Sequence, residues 1–474
     1  MSGSAHGPHV LVIVQNLPVP LDRRVWLECR ALVEAGYRVS VVCPRGPGDP
    51  AHQYIDGVAI HKYRPAPAAR GPVGYLWEFA YSWLRTAWLV WRVWRSDRFD
   101  ALQACNPPDT YWALARLYTW RGVRFVYDQH DLNPEVYRSR FGEPVGLAGR
   151  AQYAVLRWLE RMTYRTAHQM ISTNESYRAV ALRRGGVDPG SVTVVRSGPD
   201  TNRMRPEDGD PALREGRRYL AVYLGVMGPQ DGVDLVLRAT DVLVHRMGRD
   251  DLHVALLGFG DCFDDLVGLA GQLGVSDRVT FTGRADARTI AGYLSAAHVG
   301  ICPDPKNPLN DVSTMNKTME YMAYALPVVT FDLTETRVSA GDAACYLDPC
   351  PPPEDAERFA KAIADLLDDP AAREEMGVAA RHRAVRELDW EPQRRRYVEV
   401  YDRLFGLASR RWPDPGARPD RPDAGSDSGS DSASDAGSEA VPGGWGRPLV
   451  DLADPAALRR FARTRRTGAD DAGD

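Results

Sequence analysis

Apolar and polar positions along this chain fall into two long series of short runs. The first run, HVLVIV at 9–14, is continuously apolar, as a strand buried on both faces must be. A stretch with helical spacing follows over 21–36 and ends on a glycine, and a strand-like run occupies 37–43. Further strand-like runs lie at 58–63, 99–104, 124–127, 169–172 and 192–195, most with helical segments between them. A second series opens with RYLAVYL at 218–224 and continues through 254–258, 278–283, 299–303, 327–332 and 344–348.

Repeated strand–helix units predict an α/β fold of parallel sheets with helices on both faces, and two series predict two Rossmann-like domains. The segment RSGPDTNRMRPEDGD at 196–210, rich in Gly, Pro and Asp, is the expected junction. The reading divides the chain into 1–200, 201–388, a final helix over 389–406 that crosses back onto the first domain, and a tail over 407–474. From about Leu407 the composition turns to Pro, Gly, Ser and Asp, which cannot bury enough apolar surface to offset ordering entropy, so a disordered tail is expected. Within it, LADPAALRRFARTRR at 452–466 is a basic segment able to form a short helix, either solvated or docking.

Composition narrows the classes. At 474 residues, 44% hydrophobic and 26% charged, the chain is that of a folded protein. With 59 basic and 63 acidic residues it lacks the basic excess of a nucleic-acid binder, so no nucleic acid partner is expected. Seven scattered cysteines without a C-x-x-C argue against a disulfide framework or zinc ribbon and fit a reducing cytoplasm. The first apolar run is too short for a signal-peptide core, and no uncharged apolar stretch is long enough to span a membrane.

In open parallel sheets ligands bind beyond the carboxyl ends of the strands, and two facing domains place the site in the cleft between them. NDVSTMNKTMEYMAYALPVV at 310–329 runs from a polar loop into a helix expected to start near Ser313 or Thr314. The unpaired N–H groups of such a start suit phosphate, so Asp311, Ser313, Thr314 and Asn316 are candidate binding residues. Lys317 adds a full positive charge in the first turn. Glu320, three residues on, can accept hydrogen bonds from two vicinal ribose hydroxyls; the plainer alternative is a surface Lys–Glu pair. Gly225 and Gly228 in LGVMGPQDG, and Gly258 and Gly260 in LGFGD, permit close backbone approach to a diphosphate, or simply make ordinary connections. Past strand 124–127, DQHDLNPEVY places His130, Asp131 and Glu135 at the cleft end; His130 is a ligand contact or a satisfied structural histidine. No second His or Cys has metal-ligand spacing, so no metal is expected, and neither a P-loop nor a G-x-S-x-G pattern is present. Segment 75–95, YLWEFAYSWLRTAWLVWRVWR, holds five of the twelve tryptophans interleaved with arginines. It is either an amphipathic helix on the sheet or a membrane-interface or lipid-acceptor element.

Taken in order, NLPVPLDRRVWLECRAL, YDQHDLNPEVY, VVRSGPD, LGVMGPQDGVD, VTFTGR, NDVSTMNKTMEYMA and LDWEPQRRRYVEVY resemble the retaining GT-B glycosyltransferases of the group-1 family (family 4). The likeness covers about 10–405 and is nearest to members acting in exopolysaccharide, O-antigen or cell-wall sugar assembly. It implies an acceptor-binding first domain and a nucleotide-sugar-binding second domain facing across a cleft. It also implies a nucleotide-diphosphate sugar donor, no cofactor or metal, and a lipid-linked or glycan acceptor met in the cytoplasm or at the inner face of the membrane. By resemblance, Lys317 and its helix start hold the diphosphate and Glu320 the ribose. His130 touches the donor sugar, and Arg284 lies where the base is framed. The family's other glutamate falls at Val312, with Asp311 adjacent, and its usual Arg and Lys fall at Val226 and Asp231. Lys317, with Arg23 or Arg24, is then left to neutralise the diphosphate. A GT-B sugar-nucleotide epimerase and a non-catalytic sugar-nucleotide-binding subunit are the alternatives.

Overall fold

A computed structural model describes residues 7–66, 71–408, 410 and 412. Its N-terminal lobe runs β1 (His9–Ile13), α1 (Arg23–Glu34), β2 (Arg38–Pro44), β3 (His52–Ile55), β4 (Val58–Tyr63), α2 (Gly71–Ser96), β5 (Ala101–Cys105), α3 (Trp112–Thr119), β6 (Arg124–Gln129), α4 (Asn133–Phe141), α5 (Gly146–Thr166), β7 (Gln169–Ser172), α6 (Glu175–Gly185) and β8 (Val192–Val194). The C-terminal lobe runs β9 (Tyr219–Leu224), α7 (Val233–Asp241), β10 (Leu252–Leu257), α8 (Phe263–Gln272), β11 (Val279–Gly283), α9 (Ala287–Ala296), β12 (Val299–Cys302), α10 (Asn316–Ala323), β13 (Val328–Phe331), α11 (Thr334–Ala340), β14 (Ala344–Leu347), α12 (Glu354–Asp368) and α13 (Pro370–Arg383). Last comes α14 (Trp390–Phe405).

The sheets order as β3-β4-β2-β1-β5-β6-β7-β8 and β11-β10-β9-β12-β13-β14. Every pairing is parallel except the β3–β4 hairpin. Each predicted strand is present. The sequence reading missed β3, because HQYI at a sheet edge is half-exposed and carries no apolar run.

Strand alternation gives the N-terminal sheet two buried faces. Val10, Val12, Val39, Val41 and Val126 point toward α1 and α14. Leu11, Ile13, Leu102, Phe125 and Tyr127 point toward α2, α3 and α5. Helix ends follow local chemistry: Asp22 accepts from the Val25 amide at the start of α1, and Asp286 from that of Thr289 at α9. Although last in sequence, α14 belongs to the N-terminal core, where Tyr397 and Tyr401 are fully buried.

Order extends beyond the expected break at Leu407. Arg410 pairs with Asp402, and Arg394 stacks over the Trp412 ring at 5.0 Å. The aromatic ring and the opposite charges supply partners that composition alone did not reveal. The rest of the predicted tail, 413–474, including the basic segment, lies outside the described residues. No described helix is long and apolar enough to cross a membrane.

Candidate active site

Lys317 sits in the first turn of α10, and its ammonium is only 10% exposed. It donates to Asp304 Oδ1 at 2.7 Å and stands 4.9 Å from the Tyr223 ring centroid. Burial opposes its charge, but the Asp304 and Tyr223 oxygens more than offset that, and its pKa lies above the ordinary lysine value. Asp304 follows β12, and its Oδ2 is buried with no hydrogen-bond partner. Nearby Asp231 accepts from the Gly228 amide at 2.9 Å; burial raises its pKa although Lys317 pulls the other way.

The two glycine loops lie side by side beyond β9 and β10. The Gly225 amide donates to Leu257 O at 3.0 Å and that of Met227 to Phe259 O at 2.9 Å. A Cβ at Gly258 would come within 1.8 Å of Gly225 O, and one at Gly260 within 2.5 Å of Met227 O. These two glycines therefore seat one loop on the other. A Cβ at Gly225 would lie 3.2 Å from Lys317 Cε, which places that glycine beside the ammonium. Arg284 is exposed and stacks 4.0 Å over the Phe259 ring, on the rim of the second loop.

The loop before α10 differs from expectation. The helix begins at Asn316, with Ser313 and Met315 still extended. Contacts from the other lobe hold this stretch out of the helix. Asn174 Nδ2 donates to Val312 O at 2.9 Å and to Thr314 Oγ1 at 3.0 Å, and Tyr177 Oη lies 2.8 Å from Ser313 Oγ. Val312 packs against Leu132, Tyr177 and Val180. Asp311 accepts from the backbone and hydroxyl of Thr334 and pairs with Lys306, so its carboxylate is engaged at the start of α11. The side chains of Asp311, Ser313 and Thr314 thus bind protein partners rather than grouping with Lys317. Glu320, further along α10, meets Arg23 of α1 across the gap between lobes.

On the N-terminal lobe, His130 follows β6. Its amide donates to Asn106 Oδ1 at 2.6 Å, and its ring Nε2 lies 2.8 Å from Asp128 Oδ2. Burial disfavours the Asp128 charge, but His130 and Arg24 more than offset this, so its pKa falls below the usual carboxylate value. Arg24 Nε also approaches Nε2, at 3.2 Å, so both ring contacts fall on Nε2 and Nδ1 is the nitrogen left to a ligand. Glu28, buried beside it, is pushed well up by burial and by the Asp128 charge, against the pull of Arg24. Arg24 spans the pair at 2.9 Å from Glu28 and 3.1 Å from Asp128. Gln103 Nε2 donates to both Glu28 and Asp128 at 3.0 Å, while Gln103 Oε1 accepts from Tyr397 and Tyr401 of α14. The candidate ligand atoms of Glu28, Cys105, Asp128 and His130 lie within 4.8 Å of one another, and the Arg24 guanidinium supplies positive charge to that cluster.

Sequence reasoning missed Asp304, Tyr223, Asp128 and Gln103. Asp304 and Asp128 had a usable signal, since each is acidic at the end of an apolar run. The buried Gln103 inside β5 had none. A groove of about 880 Å3 among β14, α12 and α13, lined by Tyr346, Lys361 and Met376 among others, shares no residue with either cluster.

Comparison with known proteins agrees with this architecture. The glycosyltransferase family 4 model matches residues 21–203, and the glycosyl transferases group 1 model matches 218–369. Alpha-maltose-1-phosphate synthase of Mycolicibacterium smegmatis is 29% identical over 300 residues, spanning 60% of this chain and 74% of its own. The GDP-mannose-dependent alpha-(1-6)-phosphatidylinositol monomannoside mannosyltransferase of the same organism is 30% identical over 213 residues, 43% of this chain and 54% of its own. Among solved structures, sucrose-phosphate synthase of Thermosynechococcus elongatus superposes with a TM-score of 0.67 at 19% identity, over 84% of this chain and 99% of its own. Anabaena HepE, solved with UDP-glucose, gives 0.62 at 15% identity, over 84% of this chain and all of its own. With matching models over both lobes and this shared fold, the chain belongs to the group-1, family 4 GT-B glycosyltransferases.

Proposed function

We propose that the protein moves a hexose-type sugar from a nucleotide-diphosphate sugar to a hydroxyl of a lipid-linked or polysaccharide acceptor, with retention at the anomeric carbon and without a metal. The observation that carries this reading is the buried Lys317 ammonium between the glycine loops and the start of α10, on the helix whose Glu320 meets the opposite lobe. A fixed cation and the partial positive charge of a helix start stabilise the diphosphate as it departs. The bond from the anomeric carbon to the phosphate oxygen breaks, and the bond to the acceptor oxygen forms on the same face. The acceptor proton passes to the departing phosphate oxygen, so no separate protein base is needed. His130, its Nε2 held by Asp128, offers Nδ1 to the sugar.

The donor class is supported by the relatives and structures whose names include GDP-mannose and UDP-glucose. Arg23 takes the Glu320 carboxylate in this structure, so a ribose reaching Glu320 replaces that contact. A cytoplasmic enzyme lying peripherally on the membrane through segment 75–95 fits the exposed tryptophans there.

The test is a screen of nucleotide sugars for thermal stabilisation, followed by nucleotide release with lipid extracts as acceptor. Stabilisation by one donor and its turnover are expected, with turnover lost in Lys317→Ala. Near wild-type turnover in that variant overturns the reading. Val312, where the family has a carboxylate, favours a second reading as a binding subunit; such a protein holds the donor yet never releases free nucleotide.

A further inference from the structure

The N-terminal sheet carries an unusual outer layer on the side away from α1 and α14. Helices α2, α3 and α5 lie there side by side: Trp94 of α2 stacks 5.2 Å from Tyr118 of α3, and Trp112 of α3 stacks 5.6 Å from Trp158 of α5. Eight of the chain's twelve tryptophans lie on these helices or in the turn after α3. Several large apolar side chains point to solvent, among them Trp77 (60% exposed), Val145 (81%) and Leu147 (88%), with Phe79, Trp91 and Trp158 also exposed. A soluble surface seldom leaves so much aromatic area open without a partner.

Charge on this layer is one-sided. Between 77 and 96 the sole acidic residue is Glu78, against three arginines. Between 144 and 166 the sole acidic residue is Glu160, which is buried, against four arginines. Arg92, Arg95, Arg150, Arg157, Arg161 and Arg165 are exposed, in a chain whose net charge is −4. Arg92 lies over the Trp88 ring at 4.8 Å and Arg95 over Trp91 at 5.3 Å, so cations and indoles interleave. A second copy packed on this face would set arginines against arginines. Anionic headgroups complement the arginines, and the apolar side chains can enter the acyl boundary.

Helix length adds an orientation. From its 26 residues, α2 is about 39 Å long. The strands beneath it span about 25 Å or less. Its last turn leads into β5 at the end of the sheet away from the cleft, so its first turns, with Trp77 and Phe79, overhang the cleft end. Likewise α5 ends just before β7, which puts Val145 and Leu147 at that same end.

We infer that the outer face of α2, α3 and α5 docks on an anionic lipid bilayer, with α5 as its main cationic element and the cleft mouth turned toward the headgroups. The inference deepens the transferase reading by assigning its acceptor to the lipid-linked class. The experiment is flotation of the full chain with phosphatidylcholine vesicles, with and without phosphatidylglycerol. Flotation is expected only with the anionic lipid, reversed by high salt. The triple change Arg150→Glu, Arg157→Glu, Arg161→Glu should lower the bound fraction at least about tenfold. Trp77→Ser with Leu147→Ser should do the same through the apolar side.

Thermal stabilisation by UDP-glucose and GDP-mannose, measured on every variant, separates the two ideas. Donor binding without flotation overturns the docking face alone, whereas flotation without donor binding overturns the transferase alone. Variants that float like the parent overturn the inference. So does a dimer in light scattering that Leu147→Ser dissolves.

Discussion

The two lobes meet the cleft with sites built in opposite ways. On the C-terminal lobe Lys317, Asp304, Tyr223 and Gly225 come from strand ends and the helix start that follows them, with one buried cation set against one carboxylate. On the N-terminal lobe a single half-buried histidine rests on a network drawn from Arg24, Glu28, Gln103, Asp128, Tyr397 and Tyr401. The first arrangement concentrates charge in one buried place at the start of a helix. The second fixes the direction of one ring and ties it to α14, the last helix of the described fold. Chemistry that needs charge can be supplied locally; chemistry that needs orientation draws on the whole core.

The largest effect should come from the local site. Lys317→Ala strands the Asp304 carboxylate in a buried place, a loss of about 3–5 kcal/mol in urea unfolding, and transfer falls by at least about 10²–10³. Lys317→Met combined with Asp304→Asn should recover most of the stability but none of the turnover. Recovery of turnover in the pair breaks the contrast, because it makes the lysine structural.

On the N-terminal side, Asp128→Asn removes the charge that balances Arg24 and turns one of the two carboxylate acceptors around His130 and Gln103 into a donor. Turnover should drop about 10²-fold with a smaller change in donor KM, and histidine-selective NMR should show the ring tautomer altered. A change in KM alone would place His130 outside the chemistry. Glu28→Gln, by contrast, swaps a carboxyl whose charge burial and Asp128 disfavour for a neutral amide of the same shape, and should alter stability by less than about 1 kcal/mol.

A third prediction concerns pH. Burial, aided by Asp109 and Glu135 against the opposing pull of Arg184, pushes the Glu160 carboxyl up from 4.5 to about 7. The folded state then binds the proton more tightly than the unfolded chain, so stability is full below pH 4.5 and declines as pH rises toward 7. The decline is on the order of 3 kcal/mol at most. Melting temperature should fall across that interval, and Glu160→Gln should flatten the slope. Asp128, with its lowered pKa, acts in the opposite sense and only in more acidic solution, so the two windows do not overlap.

Smallest is Arg23→Ala. Its contact with Glu320 is half-exposed, so stability should change by less than about 1 kcal/mol. Donor KM, measured by initial rates, should rise a few-fold if Arg23 helps to neutralise the diphosphate. An unchanged KM leaves that task to Lys317 alone.

Strand runs, the doubled strand–helix series and Lys317 in the first turn after a polar loop were legible in the amino-acid order. Each is a short-range pattern: alternation of burial, a glycine ending a helix, a charge within one turn of a helix start. The register of the α10 start was not legible, because Asn174 and Tyr177 of the other lobe hold Ser313 and Thr314 extended. Nor was the fate of Asp311, which needed Thr334 and Lys306 beside it. The support of His130 joins residues 24, 103, 128 and 401, and no local spacing encodes contacts that close only when α14 folds back on the first sheet. Periodicity and turn chemistry act within a few residues and survive in the linear chain. Ion pairing, burial and the direction of a buried ring depend on which distant segments share a low-dielectric interior, and packing alone sets that.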